Sequence, residues 1–294
     1  MSSGKPTWVY WLVALFSRLL TGRIERVGHK RARRGMRLSA RLPALLMGVR
    51  PAMRVVADEE IEGVPVRRYE PVGAVSGTVV FIHGGGWVLG DRDTYETTAR
   101  TLAAATRRVV VSVEYRRAPE SRYPAALEDC VAVTRALATD DVVAVVGDSA
   151  GGNLAAAVAQ RVPVAAQVLF YPVMDAAHER ASYERYAKGY LLTAETMRYF
   201  RREYVPEPSR RAESGASPLL ADDVRGVAPA YVVVAECDVL HDEGVAYADR
   251  LREAGVDTTL DEVPGTIHGF MALLGLTEAK QTMARAAAWL DARM

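Results

Sequence analysis

Five small residues, Gly147-Asp148-Ser149-Ala150-Gly151, stand between the continuous apolar run 142–146 and the alanine-rich stretch 149–160. The run is short and rich in valine, as a buried strand is, and the stretch has helical composition. A strand that turns into a helix over so few residues commits the chain to an α/β arrangement, in which buried strands alternate with crossover helices. The remainder after Pro51 fits that frame. Segments 53–56, 64–69 and 78–83 read as three successive strands, 95–105 as a helix, 109–115 as a strand, and 124–138 as a helix with proline at its start. Further strands are expected at 164–171, 231–235 and 258–263. Helices are expected at 241–254, closed by Gly255, and at 277–292. The predicted architecture is therefore a mostly parallel sheet of eight strands flanked by helices.

Residues 177–206 interrupt the alternation with a polar, aromatic-rich helical segment that carries Tyr183, Tyr186, Tyr190, Tyr199, Phe200 and Tyr204. An insertion between core strands commonly lies over the C-terminal edge of a sheet, where ligands bind. With the N-terminal helices it is expected to form a lid. The domain expectation is a cap from residues 1–50 and a catalytic unit from 51–294 that contains the 177–206 insertion.

Overall charge is balanced, 37 basic against 36 acidic residues in 294, so there is no global field for nucleic acid. The balance hides an asymmetry. Residues 1–50 hold eleven Lys or Arg against one acid, Glu25, and the remainder holds 26 basic against 35 acidic residues. Within that basic segment, 8–16 is an unbroken apolar run, too short to span a bilayer and without a clean cleavage site after it. It reads as a retained helix with Trp8, Trp11, Leu12, Leu15 and Leu19 on one stripe. Two readings stay open. The stripe packs on the protein as part of a cap, or it meets a membrane surface through residues 8–41, helped by Arg23, Arg26, Arg31, Arg33, Arg34 and Arg37. Cys130 and Cys237 show no metal or redox spacing and read as buried thiols of a reducing, cytoplasmic compartment.

A serine hydroxyl becomes a useful nucleophile when a tight strand-to-helix elbow thrusts it toward a base, and Ser149 stands at such an elbow. His83-Gly84-Gly85-Gly86-Trp87 follows the strand 78–83. Consecutive glycines bring backbone N–H groups close to a reacting carbonyl, so this loop and the N–H of Ala150 form a candidate oxyanion hole. A phosphate-cradling loop is disfavoured, because neither a Gly-Lys-Ser/Thr ending nor a GxGxxG spacing is present. Of the five histidines, His268 follows the last strand in a loop able to reach the elbow. The orienting acid should end the preceding strand. Asp238 is favoured there, with Glu236 and Asp242 as rivals.

These residues carry a resemblance. The chain resembles the hormone-sensitive-lipase-like (bacterial family IV) esterases of the α/β-hydrolase fold. The match includes His83-Gly84-Gly85-Gly86-Trp87, Glu114-Tyr115-Arg116, Ala118-Pro119-Glu120, Tyr123-Pro124-Ala125-Ala126 and Gly147-Asp148-Ser149-Ala150-Gly151-Gly152-Asn153. It continues through Tyr171-Pro172, Ser217-Pro218-Leu219, Asp238, Leu240, Asp242-Glu243-Gly244 and His268-Gly269-Phe270. The resemblance runs from about residue 50 to the C-terminus. It implies Ser149 as nucleophile, His268 as base, Asp238 as its partner, and oxyanion donors at Gly85, Gly86 and Ala150. It also implies that His83 braces the glycine loop. Arg117 and Val239 depart from the pattern, in place of an apolar residue and a proline. The expected reaction is hydrolysis of short- to medium-chain acyl esters with no metal or organic cofactor, and a homodimer is a candidate assembly. An amide or deacetylase-type hydrolase and a non-catalytic ligand-binding relative are the alternatives.

Overall fold

All eight strand segments enter one sheet. The computed structural model describes residues 6–21, 24–39 and 44–294. The strands are β1 (Val55–Ile61), β2 (Val64–Glu70), β3 (Thr78–Ile82), β4 (Val109–Val113), β5 (Val143–Asp148), β6 (Ala166–Phe170), β7 (Ala230–Cys237) and β8 (Thr258–Ile267). Their spatial order is β1-β2-β4-β3-β5-β6-β7-β8. β1 and β2 form an antiparallel hairpin, β2 pairs antiparallel with β4, and every later pair is parallel. The five-residue strands β3 and β6 are buried throughout, as strands covered on both faces must be.

Eleven helices are described. α1 (Trp8–Thr21), α2 (Ile24–Val27), α3 (His29–Ser39) and α4 (Ala44–Met47) precede the sheet. α5 (Glu96–Thr106), α6 (Ala125–Leu137) and α7 (Ala150–Ala159) follow β3, β4 and β5 as crossovers. α8 (Ser182–Arg185) and α9 (Ala194–Tyr204) make up the insertion, and α10 (His241–Glu253) and α11 (Thr277–Asp291) complete the chain. α5 packs on α11, α6 packs on α7, and α10 covers β7 and β8. Cys130 and Cys237 are buried free thiols.

Two expectations needed correction. The first strand begins at Val55 rather than Met53 and runs on through Asp58, Glu59 and Glu60. Acids are tolerated because β1 is an edge, and Asp58 lies in register opposite Arg67 with Oδ1 2.6 Å from Nε. The last strand passes through Pro264 and Gly265 to Ile267 instead of stopping at Val263. β8 is the other edge, so a proline costs no inner ladder bond there, and the Gly265 N–H donates to Glu236 Oε2 at 2.7 Å. On α1, whose stripe the sequence left open between two readings, Tyr10 and Ala14 are buried among the described side chains, while Trp8 and Trp11 face outward. The polar atom of Tyr10 is the reason its ring can serve as the anchor, since its hydroxyl reaches Glu278 Oε2 at 3.3 Å. The side chains of Leu15 and Leu19, and all of Arg23, lie outside the described residues.

Candidate active site

The elbow forms because nothing larger than hydrogen fits beside it. A Cβ on Gly147 would stand 2.2 Å from the Gly151 carbonyl oxygen, and one on Gly151 would stand 2.0 Å from that of Ile82. Between them Ser149 adopts φ +55° and ψ −119°, a region that a residue with a Cβ enters only when its surroundings force it. The surroundings are visible. The Ser149 N–H donates to the Phe170 carbonyl at 2.8 Å, and its own carbonyl accepts from Asn153 at 3.0 Å and Val173 at 3.2 Å. β5, β6 and α7 thus fix the serine from three sides.

Strand ends supply its neighbours. β7 finishes one residue before Asp238, and β8 one residue before His268. His268 Nδ1 lies 2.7 Å from Asp238 Oδ2, and His268 Nε2 lies 2.9 Å from Ser149 Oγ. A carboxylate only accepts, so the proton of the neutral ring sits on Nδ1, and Nε2 is left to accept from the serine. Asp238 is buried, with Oδ1 taking the Leu240 N–H at 3.0 Å, and the Tyr171 ring packs 4.8 Å from the imidazole. The two rival acids are occupied elsewhere. Glu236 holds Gly265, and Asp242 accepts from Ser182 N–H and Arg185. His29, His178 and His241 lie beside acids outside this cluster.

His83 is fully buried, donates from Nδ1 to the Gly84 carbonyl at 2.9 Å and stacks on Tyr115 with centroids 4.3 Å apart. Burial lowers its pKa, so it stays neutral and braces the loop rather than carrying charge. Beyond it Gly85 and Gly86 take φ +111° and +61°. Their N–H groups, and that of Ala150 at the start of α7, donate to no described group, as an anion cradle requires. Arg117 turns out to buttress this loop. It donates to the Gly90 carbonyl and lies 3.2 Å from Glu114. Val239 is buried, and its carbonyl accepts the Ser182 hydroxyl at 2.6 Å, which ties the insertion to the strand end.

Sequence reasoning missed three contributors. Asp148, read only as a small residue of the elbow, accepts the Gly84 N–H at 2.8 Å and the Tyr95 hydroxyl at 3.1 Å. It therefore bolts the glycine loop to the nucleophile's strand. Burial pushes its pKa up to about 6, against the lowering effect of those two donors. Its place next to Ser149 was the available signal, whereas nothing local marked Tyr95. The third is Glu243, whose Oε2 accepts the Asp175 N–H at 3.0 Å. Burial raises its pKa well above the carboxylate range. Asp175 in turn caps the N–H groups of Ala177 and His178, so the root of the insertion is held against α10. From that root the insertion reaches the site. The Phe200 ring of α9 lies so close to Gly86 that a Cβ there would meet it at 2.2 Å, and Leu191 stands beside Gly269.

A mostly parallel sheet that delivers a serine, a carboxylate and an imidazole from the ends of three strands, in that chain order, defines the α/β-hydrolase class. A family model described as alpha/beta hydrolase fold matches residues 79–272. An ethyl acetate hydrolase of Pseudomonas putida is 41% identical over 233 residues, covering 73% of this chain and 73% of that protein. Among solved structures, the Ser161Ala mutant of LAE6, an alpha/beta hydrolase enzyme from the metagenome of Lake Arreo, is 37% identical with a TM-score of 0.89, covering 97% of this chain and 96% of that one. A hyperthermophilic esterase from the archaeon Pyrobaculum calidifontis is 32% identical with a TM-score of 0.91, covering 98% of both chains. The chain belongs to the hormone-sensitive-lipase-like esterases of the α/β-hydrolase fold.

Proposed function

We propose that this carboxylic ester hydrolase cleaves short- to medium-chain acyl esters through an acyl-enzyme on Ser149. The observation that carries the reading is the unbroken relay from Asp238 to His268 to Ser149, at 2.7 and 2.9 Å. In acylation Ser149 Oγ attacks the ester carbonyl while its proton passes to His268 Nε2, and the carbonyl oxygen becomes an anion facing the N–H groups of Gly85, Gly86 and Ala150. The C–O bond to the alcohol then breaks, and the alcohol leaves with the proton from Nε2. Water repeats the sequence on the acyl-enzyme and returns the proton to Oγ. Asp238 holds the ring tautomer and stabilises its charged form. Each oxyanion donor is worth roughly 2.7–4 kcal/mol of barrier.

Residues 1–50 and the 177–206 insertion act as a cap over this centre, and Phe200 against Gly86 gives the substrate cleft a wall on the insertion side. The membrane side of that cap, residues 8–41, is developed below. Replacement Ser149→Ala tests the mechanism. Release of nitrophenolate from nitrophenyl acetate should fall by about 10⁶-fold with an unchanged circular dichroism spectrum. In the unsubstituted protein, mass spectrometry of a quenched reaction should find the acyl group on the peptide that contains Ser149. Retained turnover in the alanine variant refutes the reading. Rates over nitrophenyl esters of increasing chain length then set the acyl preference.

A further inference from the structure

We infer that the outer face of the N-terminal helices docks on an anionic lipid surface. Four tryptophans are present, and they divide sharply. Trp87 is fully buried and Trp289 packs on Tyr231, but Trp8 and Trp11, one turn apart on α1, are 73% and 53% exposed. Among the described side chains of the helix Tyr10 and Ala14 face inward, and the two indoles stand largely in solvent. Leu38, Leu45 and Val49, at 66%, 81% and 77%, add apolar surface on the same N-terminal segment.

The cations of this segment are sorted in the same way. On α3, Arg33 turns inward to the Val88 and Ala118 carbonyls and to Glu120, and Arg37 reaches Asp91. Lys30, Arg31 and Arg34 on the outward side of α3, and Arg26 on α2, are exposed and pair with no described acid. Elsewhere in the described chain Arg67, Arg116, Arg185, Arg198 and Arg293 each meet a carboxylate. Exposed arginines without one, such as Arg107, Arg122, Arg135 and Arg202, stand far apart in sequence, whereas four such cations fall within residues 26–34. Exposed indoles beside unneutralised cations are what an interfacial segment presents to anionic headgroups. The charge asymmetry also sets the orientation. A negative surface attracts residues 1–50, with eleven cations against one acid, and repels the acidic remainder. No described helix is long and apolar enough to cross a membrane, so the contact is peripheral.

The face is joined to the strand that carries the base. The Thr7 N–H, just before α1, donates to the carbonyl of Gly265 in β8 at 3.0 Å, three residues before His268. Docking through this face would hold the strand of the base beside the lipid-bound segment.

The inference does not depend on turnover, so it is tested in the Ser149→Ala background. Full-length protein is sedimented with vesicles of ether-linked phosphatidylcholine, with and without ether-linked phosphatidylglycerol. It should pellet with the anionic vesicles alone and be released by salt on the order of 0.5 M. The quadruple variant R26Q/K30Q/R31Q/R34Q should lose at least about 100-fold in partitioning, at about fivefold per cation. The variant W8S/W11S should lose about tenfold. The same substitutions with Ser149 intact should hydrolyse a soluble short ester within about twofold of the parent, which shows that they fold. Absence of binding to anionic vesicles overturns the inference, as does equal binding to neutral vesicles or indifference to both variants. Two further outcomes also overturn it: a self-associated protein that W8S/W11S converts to monomer, and tryptophan-independent binding of double-stranded DNA of equal strength.

Discussion

The strand ends around Ser149 and the helices before residue 50 belong to one chain but are held in different ways. At the strand ends the groups are buried and satisfied. Asp148 has two donors, Asp238 has His268 and the Leu240 N–H, and the glycines leave no room for a methyl group. Among their described side chains the N-terminal helices bury only a few, Tyr10, Ala14, Ile24 and Ala32, and add polar tethers, among them Arg33 to Glu120, Arg37 to Asp91, Thr7 to Gly265, and the Leu46 carbonyl to the Gly275 N–H. Preorganised donors and dipoles serve chemistry only if they do not move, and a packed core supplies that rigidity. A surface held by exposed ion pairs costs little to rearrange.

Substitution at the rigid centre should give the largest effects. Asp238→Asn leaves the shape intact but favours the wrong ring tautomer, and kcat on a soluble ester should fall about 10⁴-fold with little change in melting temperature. A drop below tenfold would mean that Asp238 does not orient the base. Gly86→Ala should cost roughly 10²–10³-fold in kcat, because its Cβ collides with the Phe200 ring and displaces an oxyanion donor. Combining it with Phe200→Ala should recover part of the loss. Simple additivity in that cycle would place the damage in the backbone conformation alone.

Asp148 sharpens the contrast through pH. Its pKa is about 6 in the folded protein against 3.8 for an ordinary aspartate, so the folded state binds the proton more tightly. This group's contribution to stability, about 3 kcal/mol, is fully present below about pH 4 and is lost as pH rises through about 6. Asp148→Asn removes that dependence and keeps an acceptor for Gly84. Urea midpoints should show the variant gaining on the parent between about pH 4 and 7, whereas a constant difference would contradict a desolvated carboxylate. The smallest effect belongs to the cap. Arg33→Ala should cost about 1–2 kcal/mol of stability and speed proteolysis before residue 50, with kcat on a small soluble ester within about twofold. A large loss of kcat would show that the cap tethers reach the chemistry.

Most of the fold and the main reacting groups were legible because they are local or ordered along the chain. The elbow is five consecutive residues, the glycine loop follows its strand directly, and the acid and base each sit one residue past a strand. Legibility failed where charges or breakers sat on edge strands, as at Asp58–Glu60 in β1 and Pro264-Gly265 in β8. The periodic pattern there gives way to cross-strand pairing with Arg67 and to side-chain capture by Glu236. On α1 the sequence left the choice of face open, and among the described side chains Tyr10 and Ala14, not the tryptophans, are buried against the protein.

By itself the sequence determined the alternation of strands and helices, the serine at its elbow and the order of its partners, since each follows from residues near one another or from spacing along a strand. Tertiary structure alone decided that Asp148 joins Gly84 and Tyr95, that Phe200 overlies Gly86, and that Arg33 turns inward while Arg34 stays in solvent. Those outcomes rest on contacts between residues far apart in the chain, and a contact of that kind acquires its energy only when packing has fixed both partners.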